Sequence, residues 1–139
     1  MRRRQRAGLV VWASVATLAV LYVAAIAAPW LAPYDHTRQF RDTPYAPPAE
    51  VRVNLPNRWG ESLLYAHPPV LVDTGLWRYE TDPTVRVPLR WFHGGRLLTT
   101  PEGAPPVFLL GSDGLGRDLL SRILQGGRVS LFIGLLGVG

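Results

Sequence analysis

The chain has 139 residues, a formal charge of +5, no cysteine and no lysine. Without cysteine there are no disulfides, thiolate metal sites or cysteine nucleophiles. Without lysine there is no Walker A phosphate loop and no Schiff base, so no cofactor is expected here and any ATP the system uses is hydrolysed on another subunit.

Four of the fifteen arginines, Arg2, Arg3, Arg4 and Arg6, precede the first apolar run, and the remaining eleven nearly balance ten acidic residues. No nucleic-acid partner is expected, because no basic stripe is interleaved with aromatic residues. The cluster reads as a membrane-orienting tail over residues 1–7, which places the N-terminus in the cytoplasm. Gly8 to Ala28 follows without a charge. As a helix it measures about 31 Å, close to the hydrocarbon thickness of a bilayer, so residues 8–28 are predicted to be transmembrane. A cleavable signal peptide with Ala25-Ile26-Ala27 as its site is the competing reading. The apolar run is about 20 residues where a signal has roughly 7 to 15, which favours the uncleaved anchor.

Residues 29–110 are expected to form an extracytoplasmic loop region. All thirteen prolines fall between Pro29 and Pro106, and pairs such as Pro47-Pro48 and Pro68-Pro69 leave no room for a long helix. Short extended runs fit instead at Val70 to Val72, Trp77 to Tyr79, Val85 to Phe92 and Arg96 to Thr100. His93-Gly94-Gly95 reads as a hairpin turn between the last two, with Pro88 confining its strand to a sheet edge. Trp59, Trp77 and Trp91 suit a small loop core or headgroup-level anchoring better than a ligand-stacking surface. His36, His67 and His93 lack metal-ligand spacing, and the scattered acids form no recognisable acid/base pair. No catalytic or metal residue is assigned.

From Gly111 the chain changes character. Ser112 or Asp113 is predicted to cap a helix in which Leu115, Leu119, Leu120, Ile123 and Leu124 share a face. Arg117, Asp118, Ser121, Arg122 and Gln125 take the other face, Asp118 and Arg122 form an i, i+4 ion pair, and Gly126-Gly127 ends the helix. Residues 111–127 are thus an amphipathic helix, expected on the outer membrane surface. Residues 128–139 are uncharged beyond Arg128 and cover about half a bilayer, which reads as a second transmembrane helix cut short. A short buried terminal helix is the blander alternative.

The string Leu110-Gly111-Ser112-Asp113, Gly116-Arg117-Asp118, Ser121-Arg122, Gly126, Arg128 and Ser130-Leu131 resembles the signature of the second permease subunit of dipeptide, oligopeptide and nickel importers. Ser112 replaces the usual threonine and keeps its hydroxyl. The resemblance implies an α-helical integral membrane protein of the bacterial inner membrane, represented here by its N-terminal part. It implies four kinds of partner: a second permease subunit, two cytoplasmic ATPase subunits, an extracytoplasmic substrate-binding protein and the lipid bilayer. Arg117, Asp118 and Arg122 would then either contact a partner or only solvate the outer face. Two other readings are a single-pass membrane-anchored binding module and, last, a secreted enzyme.

Overall fold

The computed structural model describes residues 2–53 and 62–138, so Trp59 lies outside the described residues. The first helix, α1, is Arg2–Leu31. The basic tail is not a separate segment, since the helix already includes its arginines; a run without glycine or proline gives the backbone no reason to break before the apolar stretch. In α1 Leu9, Val10, Val11 and Trp12 all face outward. Ser14 and Thr17 return their hydroxyls to the carbonyls of Val10 and Ala13, at 3.0 and 2.9 Å, so neither needs water. The helix runs three residues past the expected end and includes Pro29. A proline this close to a terminus removes one donor and leaves the closing bond, Ala32 N–H to Ala28 C=O at 2.9 Å, intact.

Between the helices lie six strands among the described residues: β1 (Glu50–Val53), β2 (Leu64–His67), β3 (Pro69–Asp73), β4 (Arg78–Thr81), β5 (Val87–His93) and β6 (Arg96–Thr99). They form a four-stranded sheet in the order β1-β2-β5-β6 and a separate β3-β4 pair, with every pairing antiparallel. The expected hairpin around His93-Gly94-Gly95 is present, and both glycines sit at positive φ (62° and 74°).

Pro88 does not confine β5 to an edge, because the strand has a neighbour on either side. Its two halves are used differently. Val87, Pro88 and Leu89 pair with β2, whereas pairing with β6 begins at Arg90. Pro88 therefore has one neighbour only, and its missing N–H interrupts no bond on the other side.

Ala66, Val87, Leu89 and Val107 make one small core beneath this sheet. Tyr34, Ala46 and Phe108, with Phe40 and Tyr79 against them, make a second beside it. Tyr34, Phe40 and Phe108 pack as a ring trio with centroids 5.0 to 6.1 Å apart. The buried Tyr34 hydroxyl accepts the Val107 N–H at 2.9 Å, which satisfies a group that burial would otherwise penalise.

The last helix, α2, is Leu119–Val138. The separate amphipathic helix ending at Gly126-Gly127 is not formed, and the second apolar helix starts at Leu119 rather than at residue 128. Both glycines stay out of the left-handed region a C-terminal cap requires. Each lowers helix propensity by about 1 kcal/mol, which is less than breaking the backbone hydrogen bonds of the apolar turns that follow. Gly8–Leu31 and Leu119–Gly137 are each long and apolar enough to cross a membrane. They pack antiparallel: Tyr22 meets the Leu131 carbonyl, and Tyr34, just past α1, meets Ser121 in the first turn of α2.

Candidate functional site

Residues 111–118 form a tight, non-helical turn that fastens the start of α2 to the chain leaving α1. Its centre is the Asp113 carboxylate. Oδ1 accepts the N–H groups of Leu115 and Arg117, both at 2.9 Å. Oδ2 accepts from Arg117 Nε and from Arg122 Nη1, both at 2.8 Å. Burial by itself would raise the pKa of this carboxyl, but the Arg117 and Leu115 amides and the Arg117 guanidinium outweigh it and hold the group below the usual carboxylate range.

Asp118, not Ser112 or Asp113, is the N-cap of α2. Its Oδ2 accepts the Ser121 N–H at 2.8 Å and the Ser121 hydroxyl at 2.6 Å. That geometry satisfies a first-turn donor that has no partner inside the helix. The expected Asp118–Arg122 pair is therefore absent: Asp118 is occupied by Ser121, and Arg122 reaches back one turn further to Asp113. Asp118 is 1% exposed and its Oδ1 has no partner, so burial pushes its carboxyl up.

The turn is held from outside by residues 40–46. Ser112 Oγ accepts the Ala46 N–H at 2.8 Å and donates to the Thr43 carbonyl, while the Ser112 N–H donates to Ala46 C=O at 2.9 Å. Tyr45 N–H donates to Asp113 C=O, and Phe40 N–H to Gly116 C=O, both at 3.0 Å. Three glycines make the approach possible. A Cβ on Gly116, at φ +69°, would lie 2.0 Å from the Phe40 carbonyl oxygen. One on Gly111 would lie 2.7 Å from Ala46 O, and one on Gly114 2.6 Å from the Tyr45 hydroxyl.

Eight of the ten residues singled out in the sequence thus meet in one structure: Gly111, Ser112, Asp113, Gly116, Arg117, Asp118, Ser121 and Arg122. Gly126 and Arg128 do not join them. Gly126 is open on α2, and half-buried Arg128 borders a cavity of about 240 Å³ shared with Ala28, His36 and Gln125. Sequence reasoning missed Tyr34, whose N–H donates to Ser121 Oγ at 3.2 Å, and the whole clasp at Phe40, Thr43, Tyr45 and Ala46. Most of those contacts run through main-chain atoms, which leave no signature in residue type. Chemically the turn is a fastening: most of its polar groups are spent on one another, and the one hydroxyl beside a carboxylate, Ser121 on Asp118, is buried with it.

A family model, the N-terminal TM domain of oligopeptide transport permease C, matches residues 2–48. The Di/tripeptide transport system permease protein DppC of Pseudomonas aeruginosa is 33% identical over 114 residues, 82% of this chain and 21% of that protein. The Dipeptide transport system permease protein DppC of Escherichia coli K12 is 31% identical over 119 residues, 86% of this chain and 23% of its own length. That of Haemophilus influenzae is 39% identical over 61 residues, 40% of this chain and 18% of its length. The chain spans about a fifth of the length of the curated relatives it matches. No solved structure matches it. The matches bear out the resemblance read from residues 110–131 and do not favour the single-pass binding module. With the two apolar helices, they support a membrane location.

Proposed function

The chain is homologous to the N-terminal part of the permease subunits of peptide ABC transporters, and from that premise we propose that it supplies two spans and the intervening external domain of an ATP-driven peptide importer. In this reading the arginine-rich start of α1 faces the cytoplasm, the sheets lie outside the bacterial inner membrane, and α2 re-enters it. Substrates are dipeptides or oligopeptides delivered by an external binding protein. A second permease completes the path, and two cytoplasmic ATPases drive it.

One observation carries the reading. Two antiparallel apolar helices leave one face of a folded domain, and the signature residues sit where the second helix begins. The charges of the signature support a positioning role: Asp113 holds both Arg117 and Arg122, Asp118 caps α2, and the glycines let Phe40 and Ala46 close over the turn. Translocation then proceeds by rigid movement of helix bundles whose entry points are fixed at the outer surface.

The test is a chimera in which this chain replaces the matching N-terminal segment of the Escherichia coli dipeptide permease. Uptake of a labelled dipeptide, at normal membrane abundance and with co-purification of the partner permease, is the expected result. A chimera that reaches the membrane and assembles, yet imports no peptide while importing another solute class, would refute peptide transport.

A further inference from the structure

Immediately past α1 the chain turns through Pro33, Tyr34 and Asp35 into one wall of an open cleft of about 880 Å³. Arg38, Arg90 and Arg96 line it, with His93 at the hairpin turn; Asp35 and Glu102 are its acids. Asp35 is already engaged, accepting the Thr37 N–H at 2.8 Å and the Thr37 hydroxyl. Among the described residues no carboxylate pairs with Arg38 or Arg90. Arg96 Nη1 donates to the Ala32 carbonyl at 3.1 Å, which fixes the cleft at the level where α1 ends.

The same hairpin carries Trp91 and Phe92, 47% and 80% exposed, with ring centroids 6.5 Å apart. Phe92 is held at φ 50°, in the left-handed region that a bulky residue rarely adopts. Backbone strain of this kind clusters where a protein holds a ligand. Exposed aromatic rings on the hairpin that also carries Arg90 and Arg96, with Arg96 bonded to the chain where an apolar helix ends, match the chemistry of a bilayer interface. There rings lie at headgroup level and arginine takes phosphate through paired N–H donors.

We propose that this cleft binds the phosphate of an anionic glycerophospholipid in the leaflet where α1 ends, with Trp91 and Phe92 seated among the headgroups. The assignment rests on the membrane reading given above. Arg38, whose guanidinium lies over the Phe40 ring at 4.8 Å, and Arg90 supply the donors, and Arg96 ties the cleft to the helix.

Energy transfer from Trp91 to dansyl-labelled lipid tests it, using the full chain with Trp12, Trp30, Trp59 and Trp77 changed to Phe. Phosphatidylcholine vesicles carry a trace of either dansyl-phosphatidylglycerol or dansyl-phosphatidylcholine. The expected result is stronger transfer to the anionic probe, with the preference falling about fivefold in each of Arg38→Gln and Arg90→Gln. Equal transfer to the two probes in an inserted chain overturns the proposal. So does line broadening of inorganic phosphate by the chain without lipid preference, which identifies a site for free anion. Alkaline extraction of the same vesicles separates the two failures, because a chain released by it refutes the membrane reading itself. Lipid occupancy of the unaltered chain by native mass spectrometry gives the same comparison should the tryptophan replacements impair folding.

Discussion

Asp113→Asn isolates the charge at the centre of the signature turn. The side-chain oxygen that accepts the Leu115 and Arg117 amides is retained, while the partner of two guanidinium groups becomes neutral. Hydrogen bonds to a charged group contribute about 1.5 to 3 kcal/mol. The side chains are 19% exposed at Asp113, 27% at Arg117 and 40% at Arg122, so solvent screens the Arg122 bond most. We therefore expect a loss of about 2 kcal/mol in all, most of it through Arg117, or roughly 5 to 10 °C in the thermal midpoint of a domain this size. The assay is thermal unfolding of the detergent-solubilised chain followed by tryptophan fluorescence at neutral pH.

Acid gives a second readout of the same charge. The folded pKa of Asp113 is depressed, so its contribution is present above the unfolded value and is lost as pH falls through the folded one. The wild-type midpoint should fall on acidification below about pH 4, and the Asn variant should lack that part of the fall. A variant that melts with the wild type at pH 7, or tracks it step for step into acid, would refute the idea that this charge holds the turn.

Gly116→Ala should be the most damaging small change, destabilising by about 3 kcal/mol or more and reducing membrane abundance, because its methyl group meets the Phe40 carbonyl and its φ is left-handed. Asp118→Ala should destabilise by about 1 to 2 kcal/mol through loss of the cap, whereas Asp118→Asn keeps the cap without the buried charge and should be at least as stable as the wild type at pH 7. Because burial raises the Asp118 pKa, its charged form opposes folding above that value, so the wild type should gain on the Asn variant as pH falls through it. Gly126→Ala meets open space and should raise the helicity of α2, by up to about 1 kcal/mol in thermal melts followed by circular dichroism.

The elements that were legible are those written in local pattern. Twenty-one uncharged residues announced α1, and paired glycines after His93 announced the β5–β6 hairpin. What was not legible depended on distant partners. β1 alternates as Glu50-Val51-Arg52-Val53 but is only four residues long and exposed throughout, and β2 has no alternation and is defined by Leu64, Tyr65 and Ala66 lying against Leu89, Pro88 and Val87. Gly126-Gly127 looked like a stop because glycine can cap, yet the same residues can also continue a helix when the apolar turns beyond them need their hydrogen bonds. The signature was visible as a string, but its wiring was not: the sequence offered Asp118 and Arg122 at helical spacing, and only the non-helical turn at 111–118 brings Arg122 to Asp113 instead. The opposing half, from Phe40 to Ala46, binds through its backbone and so left no mark of its own.

The bond from the Tyr34 amide to Ser121, and from Ser121 to Asp118, has a mechanical meaning for the two helices it joins. The tie at this end is the tighter one, since further along the helices Tyr22 approaches the Leu131 carbonyl only at 3.4 Å, so the least costly relative movement is a scissoring with the tied ends as its pivot. In the orientation proposed above the clasp is external and the cytoplasmic ends are the long arms, so a force applied to those ends would reach the outer surface as a small rotation of the sheet domain about the fulcrum that α1 and α2 share.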